Sequence, residues 1–171
     1  AAAASLLWPR FVSPEQSLPR GSVQGPRRFL IPLPDGLQHA GHRRIAVLPD
    51  GSAIIVSLRD AEGRTRLFLR RLDGLEFTPI DGSDGGQDPF VSPDGRQVGF
   101  SRRSVLTRIP VLGGAASPVH DAPHVHGAVW LDGDAMVFSP NSDGSGLWRG
   151  GVNGAGIARD ALDGVRGGHA L

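Results

Sequence analysis

The sequence contains no cysteine and no lysine among its 171 residues. The absence of cysteine excludes disulfide bonds, thiolate metal sites and a cysteine nucleophile. The absence of lysine excludes the phosphate-binding lysine of P-loop proteins, the strand lysine of protein kinases and Schiff-base chemistry. The basic side chains are therefore all arginine, and 18 of them against 17 acidic side chains leave a formal net charge of +1. That balance does not indicate binding to nucleic acid.

Long hydrophobic runs are also lacking near the start of the chain. Residues 1–8 are apolar, but about 20 such residues are needed to cross a bilayer. We interpret them as the end of a transmembrane helix with Trp8 at the interface, or alternatively as a frayed terminus. Residues 9–28 are rich in Pro and Arg and lack periodicity, which predicts a linker. By the positive-inside tendency their arginines keep this side cytoplasmic, which counts against export.

Glycine and proline are abundant, with 25 and 14 residues, and they separate short apolar runs. The clearest example is residues 90–100, which read FVSPDGRQVGF. Pro93 favours the second position of a turn, Asp94 can hydrogen-bond its own backbone, and Gly95 accepts positive φ. Apolar and polar residues then alternate with the period of a strand. The stretch therefore predicts a β-hairpin.

The same hairpin phrase occurs at residues 48–56 and again at residues 130–138. In each copy a large or β-branched residue lies six positions after the turn aspartate; these residues are Val56, Phe100 and Phe138. A hairpin that recurs at a spacing of roughly forty residues is typical of a β-propeller or a similar array.

We predict an all-β fold, a partial β-propeller of about three four-stranded antiparallel blades plus the start of another, over residues 29–171. The repeats lie near residues 37–80, 81–120 and 121–162, and a stub covers 163–171. A short edge strand is predicted at 29–33. The blade strands are predicted at 44–48, 53–58, 65–72 and 76–80, then at 89–92, 97–101, 105–111 and 117–120, then at 128–130, 135–139, 146–152 and 157–161. The third strands align at Leu67, Leu106 and Leu147, and the glycines that end them are Gly74, Gly113 and Gly154.

The phrase SPDGR at residues 92–96, with an Asp/Gly turn after each third strand, resembles bacterial PD40 or TolB-like propeller repeats, relatives of WD40. A closer resemblance rests on residues 29–36, 67–73 and 145–149, which read FLIPLPDG, LFLRRLD and SGLWR. They look like the C-terminal sensor propeller of bacterial receptor-type serine/threonine kinases. In that family a cytoplasmic kinase domain precedes a membrane helix, a linker and the propeller. The resemblance therefore implies an extracytoplasmic propeller with a membrane tether upstream.

No kinase motif is present, so no kinase residue is carried over. Similar propellers occur in transcription regulators and in prolyl-oligopeptidase-type peptidases. Two alternatives therefore stay open: a substrate-gating propeller that precedes a serine peptidase domain, and a TolB-like periplasmic interaction protein. Sequence upstream or downstream of residues 1–171 would decide among them.

Three blades and a stub do not close a ring, since propellers have about 4–8 blades. The sequence therefore predicts a fragment or truncated product, or alternatively a chain that self-associates with a second copy through its open blade edges.

Candidate metal ligands are few. His120, His124 and His126 surround Asp121, and imidazoles two and four positions apart could bind zinc. The alternative is that they are solvated residues of an interblade loop, and we favour it. In the resembling kinases this loop is usually rich in Asn, Pro and Arg, so the histidines depart from that pattern. We predict no metal site.

Two loops suggest calcium ligands. The first carries Asp81, Asp84 and Asp88, and the second is residues 141–146, with oxygen-bearing side chains at alternate positions followed by glycine. The second loop lacks the closing glutamate of a calcium loop, because Val152 stands in that position. Asp and Gly at such places are more often turn formers, which is the interpretation we favour.

The remaining candidates are interpreted as structural. Trp130 and Trp148 are expected to pack between blades, and Arg70, Arg71, Arg102 and Arg103 to be solvated strand ends. The sequence has no Gly-x-Ser-x-Gly elbow and no complete dinucleotide-binding fingerprint. We predict no catalytic residue and no cofactor. The expected function is binding or sensing of a protein or small-molecule ligand, at the central channel or where loops of several blades converge.

Overall fold

The computed structural model describes residues 30–41, 45–122, 125, 127–139 and 146–160. The range Leu33–Leu171 forms one compact unit, and the range Ala1–Pro32 forms a separate one. Among the described residues all regular structure is β, in thirteen strands, with no helix. The predicted all-β class is therefore confirmed. The predictions for residues 1–8, for the linker at 9–28 and for the stub at 163–171 lie outside the described residues.

In chain order the strands are β1 (Gln38–His39), β2 (Ile45–Val47), β3 (Ala53–Arg59), β4 (Thr65–Arg71), β5 (Thr78–Pro79), β6 (Gln87–Val91), β7 (Gln97–Arg102), β8 (Val105–Pro110), β9 (Ser117–Asp121), β10 (Gly127–Leu131), β11 (Ala135–Ser139), β12 (Leu147–Gly151) and β13 (Ala158–Asp160).

These strands form three separate antiparallel sheets. Blade 1 consists of β1 to β5, with β1 and β2 both paired to one edge of β3. Blade 2 has the order β6-β7-β8-β9, and blade 3 has the order β10-β11-β12-β13. Consecutive strands pair throughout blades 2 and 3 and from β2 to β5 in blade 1, which is the meander that the sequence repeats predict.

The hairpin that opens each blade is held by its turn residues. Gly51, Gly95 and Gly133 occupy equivalent positions with φ of 71°, 70° and 74°, a region where a side chain would be strained. In blade 2 the Gly95 N–H donates to the Ser92 carbonyl at 2.9 Å. The Asp94 side chain accepts a hydrogen bond from the Arg96 N–H at 3.0 Å. The predicted roles of Asp94 and Gly95 are confirmed.

The segment before β2 departs from the prediction, whereas β2 itself lies within the predicted strand at 44–48. We expected a strand at residues 29–33, but residues 30–33 form none, and Phe29 lies outside the described residues. Pro32 and Pro34 have no N–H to donate to a ladder, which explains the failure. Instead the inner strand is interrupted: His39 pairs with Leu58, and pairing resumes where Ile45 meets Val56.

Each blade has two faces, which we name by the blade they meet. The forward face looks toward the next blade in sequence and the backward face toward the previous one. Ala46 and Ile55 pair on the forward face of blade 1, and Val91 and Val98 pair on the backward face of blade 2. All four belong to one apolar cluster or pack against it. The repeat thus places one forward face against one backward face at each junction.

Two apolar cores fill the two junctions. The core between blades 1 and 2 comprises Ile55, Leu67, Ile80, Val98, Phe100, Ile109 and Val111. The core between blades 2 and 3 comprises Phe90, Leu106, Val119, Ala122, Val125, Trp130, Met136, Phe138 and Val152, with Ala128 and Trp148 packed against it. The prediction that Trp130 and Trp148 pack between blades is confirmed. Each large side chain buried in this way contributes about 1.5–3 kcal/mol.

A glycine allows blades 2 and 3 to pack closely at their junction. The Phe90 ring lies directly against Gly99, in the space that a Cβ on that glycine would take. This lets Phe90 reach Trp130, with ring centroids 6.1 Å apart and planes tilted by 52°. A glycine in the middle of a strand weakens it, but here the loss is offset by the packing of two aromatic rings.

Candidate binding groove

The first and third turns of each blade lie at the same end of the sheet. In a meander the first and third turns lie at the same end, and cross-turn hydrogen bonds confirm this arrangement. In each blade the residue after the third strand donates its N–H to a carbonyl of the opening hairpin. The pairs are Leu72 to Ser52, Val111 to Arg96 and Val152 to Asp134, each at 2.9 Å. We call this end the turn end. Between adjacent blades it carries a groove.

The polar groove lies between blades 2 and 3 at the turn end. Its volume is about 270 Å³, and its walls combine a buried Ser92 and Trp130 with charged groups from both blades. The lining residues are Ser92, Pro93, Asp94, Gln97, Arg108, Trp130, Leu131, Asp132, Gly133 and Asp134. Strand β8 supplies Arg108 from the forward face of blade 2. The end of β10 and the opening turn of blade 3 supply the last five residues.

The wall formed by blade 2 is held in place by hydrogen bonds. The Ser92 hydroxyl donates to the Asp94 carboxylate at 2.6 Å and accepts from the Gln97 N–H at 2.9 Å. The Ser92 hydroxyl and the Arg96 N–H lower the pKa of Asp94 below its usual value, because both bonds favour the ionised carboxylate. Asp94 is therefore an anion at neutral pH, in a fixed orientation.

Both signs of charge face this groove. Arg108 is half-buried, and it makes no ion pair with a carboxylate in the described part of the chain. Asp132 and Asp134 are exposed on the opposite wall, and Asp134 has φ of 62°. Such an arrangement can bind an amine through the aspartates and a carboxylate through the guanidinium, whose fork matches two oxygens.

The groove between blades 1 and 2 has the same place in the repeat but another chemistry. It has a volume of about 360 Å³, and Leu48, Leu69, Val111 and Leu112 are among its lining residues. Leu69 pairs with Ile55 as Arg108 pairs with Gly99, so an aliphatic residue stands where the polar groove has its cation. The walls of this groove are therefore mostly apolar, although Arg71 and Arg96 also line it.

The sequence alone did not lead us to Arg108, Asp132 or Asp134 as site residues. One signal was available: aligning the third strands at Leu67, Leu106 and Leu147 places Leu69, Arg108 and Arg149 at one position. The first repeat has a leucine at this position and the other two have an arginine, which indicates that the junctions between blades differ. Which blade that arginine faces depends on the stacking of blades, which the sequence does not show.

His120 is a packing residue. It is buried, its ring stacks on Phe138 at 5.5 Å, and its Nε2 lies 2.9 Å from the Gly151 carbonyl oxygen. Gly150 leaves room for the imidazole, which occupies the space of a Cβ. The interpretation of His120 as solvated is therefore wrong, because the residue belongs to β9 and meets blade 3. His124 and His126 lie outside the described residues.

The calcium hypothesis concerns two loops. Asp84 forms an ion pair with Arg66 at 3.5 Å, and Asp88 has φ of 52° at the irregularity in β6. Residues 141–145 lie outside the described residues. Within the described part of the chain, no three His, Asp or Glu side chains converge as metal ligands would.

The four arginines interpreted as solvated strand ends differ from one another. Arg71 and Arg103 are exposed, as predicted. Arg102 is half-buried over the Phe100 ring at 5.9 Å. For Arg70 the prediction is wrong: it is buried, 5.6 Å from the Phe77 ring, because strand alternation puts it on the backward face of blade 1 beside Ile54. Cation–π contact and stem burial explain how that position tolerates an arginine.

The buried serines serve the backbone. The Ser57 hydroxyl donates to the Gly86 carbonyl at 2.9 Å. The Ser83 hydroxyl donates to the Ile80 carbonyl at 2.6 Å and accepts from the Leu67 N–H at 3.0 Å. Together they attach the connection between blades 1 and 2 to the end of blade 1. Neither of these two hydroxyls bonds to a histidine ring, the pairing that activates a serine nucleophile.

No family model and no curated protein matches this chain. Solved structures do resemble it. The β-propeller domain of the trilobed protease from Pyrococcus furiosus has a TM-score of 0.53 at 14% identity, over 71% of this chain and 42% of that one. TolB from Acinetobacter baumannii has a TM-score of 0.54 at 20% identity, over 68% of this chain and 31% of that one.

An acylaminoacyl peptidase in complex with Z-Gly-Gly-Phe-chloromethyl ketone gives a TM-score of 0.51 at 14% identity, over 66% of this chain and 23% of that one. The three sheets are propeller blades. The predicted partial β-propeller is thereby confirmed at the level of the fold. The chain spans less than half the length of each of these three structures.

The predicted membrane tether lies outside the described residues. No helix in the described part of the chain has the length and apolar character needed to cross a bilayer.

Proposed function

We propose that this chain is the non-catalytic binding part of a larger bacterial protein, and that its ligand site is the polar groove. The observation that carries the proposal is Arg108, a half-buried cation that faces Asp132 and Asp134 across a groove of about 270 Å³ without a described ion-pair partner. The buried serines bond to backbone or turn groups, which supports binding rather than catalysis.

The chemistry of the groove favours the end of a peptide or a free amino acid. Drug-sized ligands occupy pockets of about 300–1,000 Å³, so this volume suits only one or two residues. An ammonium group would pair with Asp132 or Asp134, and a carboxylate with Arg108. Trp130 is largely buried against Phe90 and would supply a rigid apolar wall.

A titration followed by NMR tests this site. The probes are alanyl-alanine, its N-acetylated form and its C-terminal amide, so that each charge is removed separately. We expect the free dipeptide to shift the indole resonance of Trp130 and the side-chain amide of Gln97. Each blocked form should bind at least about tenfold more weakly, since a charge-assisted hydrogen bond contributes about 1.5–3 kcal/mol.

Arg108→Ala should abolish the preference for the free carboxylate, whereas the matched control Arg103→Ala, at an exposed turn, should not. The proposal is overturned if no probe shifts groove resonances, or if the shifts do not depend on Arg108. Turnover of peptides or ATP by the chain alone would overturn the non-catalytic assignment.

For the parent protein we propose a receptor-type serine/threonine kinase with this propeller as its extracytoplasmic sensor. The support is the resemblance of residues 29–36, 67–73 and 145–149 to that family. A peptidase with a gating propeller is the second candidate, because two of the similar structures are described as a protease and a peptidase. A TolB-like periplasmic interaction protein is the third.

Flanking gene sequence decides among these parents. A His-Arg-Asp catalytic loop and an Asp-Phe-Gly motif upstream, followed by a membrane helix, are expected for the kinase. A Gly-x-Ser-x-Gly elbow downstream would instead establish the peptidase and contradict the kinase proposal.

A further inference from the structure

The groove between blades 1 and 2, which we call the apolar groove, opens at the turn end onto the first interblade core. Leu48 and Leu69 pack against that core and are half-buried, and the buried Val111 lines the same groove. Its lining residues all fall in the ranges 48–71 and 95–112. Both walls therefore belong to blades that the structure describes, and the groove does not require residues before blade 1 or after blade 3.

Leu112 forms an apolar rim where the repeat favours a polar residue. The alignment of the third strands places it at the position of Asp73 and Asn153. Asp73 pairs with Arg71 at 2.8 Å. The Asn153 side chain accepts a hydrogen bond from the Ala155 N–H at 3.1 Å. A leucine can make neither contact, and Leu112 is 91% exposed beside an apolar groove. A departure of this kind from local turn chemistry is typical of a functional position.

The charge on the walls of the apolar groove is positive. The described residues that line it include Arg71 and Arg96 but no Asp or Glu. Arg71 makes two hydrogen bonds to the Asp73 carboxylate, at 3.0 and 2.8 Å, so its charge is compensated. Arg96 is exposed and makes no ion pair with a described residue. It holds the place in the repeat that Asp134 has in the polar groove, so one position carries opposite charges in the two grooves.

We propose that the apolar groove binds the carboxyl-terminal residue of a peptide whose last side chain is large and apolar. That side chain packs between Leu69 and Leu112, and the terminal carboxylate accepts hydrogen bonds from the Arg96 guanidinium, whose fork matches two oxygens. The volume of about 360 Å³ is near the lower limit of about 300 Å³ for ligand pockets, which suits one such residue. A long alkyl chain would stay largely in water, because the wall at Leu112 is open. The two grooves share no lining residue, so this site is independent of the one proposed in the polar groove.

Methyl NMR of the full chain tests the apolar groove. The probes are acetyl-alanyl-alanyl-leucine, its C-terminal amide, acetyl-trialanine and decanoate. We expect the leucine peptide to shift the methyl resonances of Leu69 and Leu112. The amide should bind at least about tenfold more weakly, since it lacks the charge-assisted hydrogen bonds. The trialanine peptide should also bind at least about tenfold more weakly, since it buries fewer methyl groups.

Two other occupants would overturn the proposal. Decanoate that binds as tightly as the leucine peptide would mean that the groove takes a lipid carboxylate. Shifts of the Leu112 methyl resonances on raising the concentration of the chain without peptide would mean that a second copy covers the groove. The absence of any shift at Leu69 and Leu112 with every probe would overturn the proposal as well.

Leu112→Asp separates binding from stability. The variant gives this turn the residue type that the first repeat has at Asp73, so the denaturant midpoint should not fall. Affinity for the leucine peptide should fall at least about tenfold, because an apolar wall is lost and a like charge faces the carboxylate. The matched control is Leu75→Asp, at an exposed position between β4 and β5, which should leave the affinity unchanged. Unchanged affinity with Leu112→Asp contradicts the proposal.

Arg96→Ala tests the carboxylate contact. It should remove the preference for the free acid over the amide, whereas Arg103→Ala, at an exposed turn at the opposite end of blade 2, should retain it. If that preference instead depends on Arg108 and not on Arg96, the peptide lies in the polar groove. That result would overturn the site in the apolar groove and leave the proposed function intact.

Discussion

Leucine stands at one position of the third strand in all three blades, in two kinds of environment. At the junctions, Leu67 and Leu106 are fully buried between sheets, whereas Leu147 on the forward face of blade 3 keeps part of its surface accessible. The repeat specifies the residue, and the neighbouring blade determines how much that residue stabilises the fold. The free energy of a blade therefore resides largely in its junctions.

The two junctions differ from each other in their polar chemistry. Between blades 1 and 2, Ser57 and Ser83 satisfy buried backbone groups. Between blades 2 and 3, His120 does so, together with an aromatic cluster of Phe90, Trp130 and Phe138. The same blade structure thus accommodates two different interblade cores, because the hydrogen bonds between strands do not depend on which side chains pack between the sheets.

The largest effect is expected from truncating the equivalent leucines. Leu67→Ala and Leu106→Ala should each lower the free energy of unfolding by about 2–5 kcal/mol, since each leaves a cavity in a packed core. Leu147→Ala should cost less than about 1 kcal/mol, because its site is partly solvated already. Urea titration of the three variants measures this difference. Equal losses at all three positions would contradict the comparison between junction and open face.

A smaller loss is expected from Ser83→Ala in the first junction. The change removes the acceptor of the Leu67 N–H and the donor to the Ile80 carbonyl. A buried group left without a partner costs about 1–3 kcal/mol. The exposed Ser117→Ala is the matched control and should be close to neutral. Thermal unfolding of both variants checks the prediction, and a neutral Ser83→Ala would show that the connection between blades contributes little.

His120→Phe probes the second junction and should cost about 0.5–1.5 kcal/mol. The ring contact with Phe138 is retained, but the hydrogen bond to the Gly151 carbonyl, worth about that amount, is lost. His39→Phe, on an exposed edge strand, serves as the control. Denaturant midpoints of the two variants distinguish the cases, and a stabilised His120→Phe would mean that the carbonyl contact has no energetic role.

The smallest effect concerns pH. The pKa of Asp94 is lowered mainly by the Ser92 hydroxyl and then by the Arg96 N–H. A carboxyl group whose folded pKa is depressed stabilises the protein above its unfolded pKa. That stabilisation disappears as the pH falls below about 4 and through the folded value. At neutral pH the unmodified chain should have a higher denaturant midpoint than Asp94→Asn. At acid pH the two midpoints should converge. Asp35→Asn, in another exposed turn, is the control, and an acid-independent gap would contradict this account.

The hairpins could be predicted from the sequence because their determinants are local. Pro93, Asp94 and Gly95 specify a turn through their own backbone preferences, whatever surrounds them. The aligned leucines were found in the same way, since a repeat retains spacing. Strand β13 and the short β5 also lie where the repeat placed them.

What the sequence missed depends mostly on how strands pack within and between blades. Arg70 is buried rather than solvated because its strand position faces backward. His120 packs rather than lying in a loop, because its partner carbonyl is 31 residues further along the chain. The polar groove needs Arg108 and Asp132 from two different repeats, so neither repeat reveals it alone. The predicted strand at 29–33 failed through its prolines, and the interruption of the inner strand of blade 1 has no local signal.

The central claim is that three equivalent antiparallel blades stack in one register. Cross-strand nuclear Overhauser contacts test it most directly, at the equivalent pairs Ile55–Leu69, Gly99–Arg108 and Val137–Arg149. A contact is expected at each pair, together with contacts between the rings of Phe90 and Trp130 across the second junction. Helical contacts anywhere between Ile45 and Val152, parallel pairing, or a register shifted in any one blade would contradict the claim.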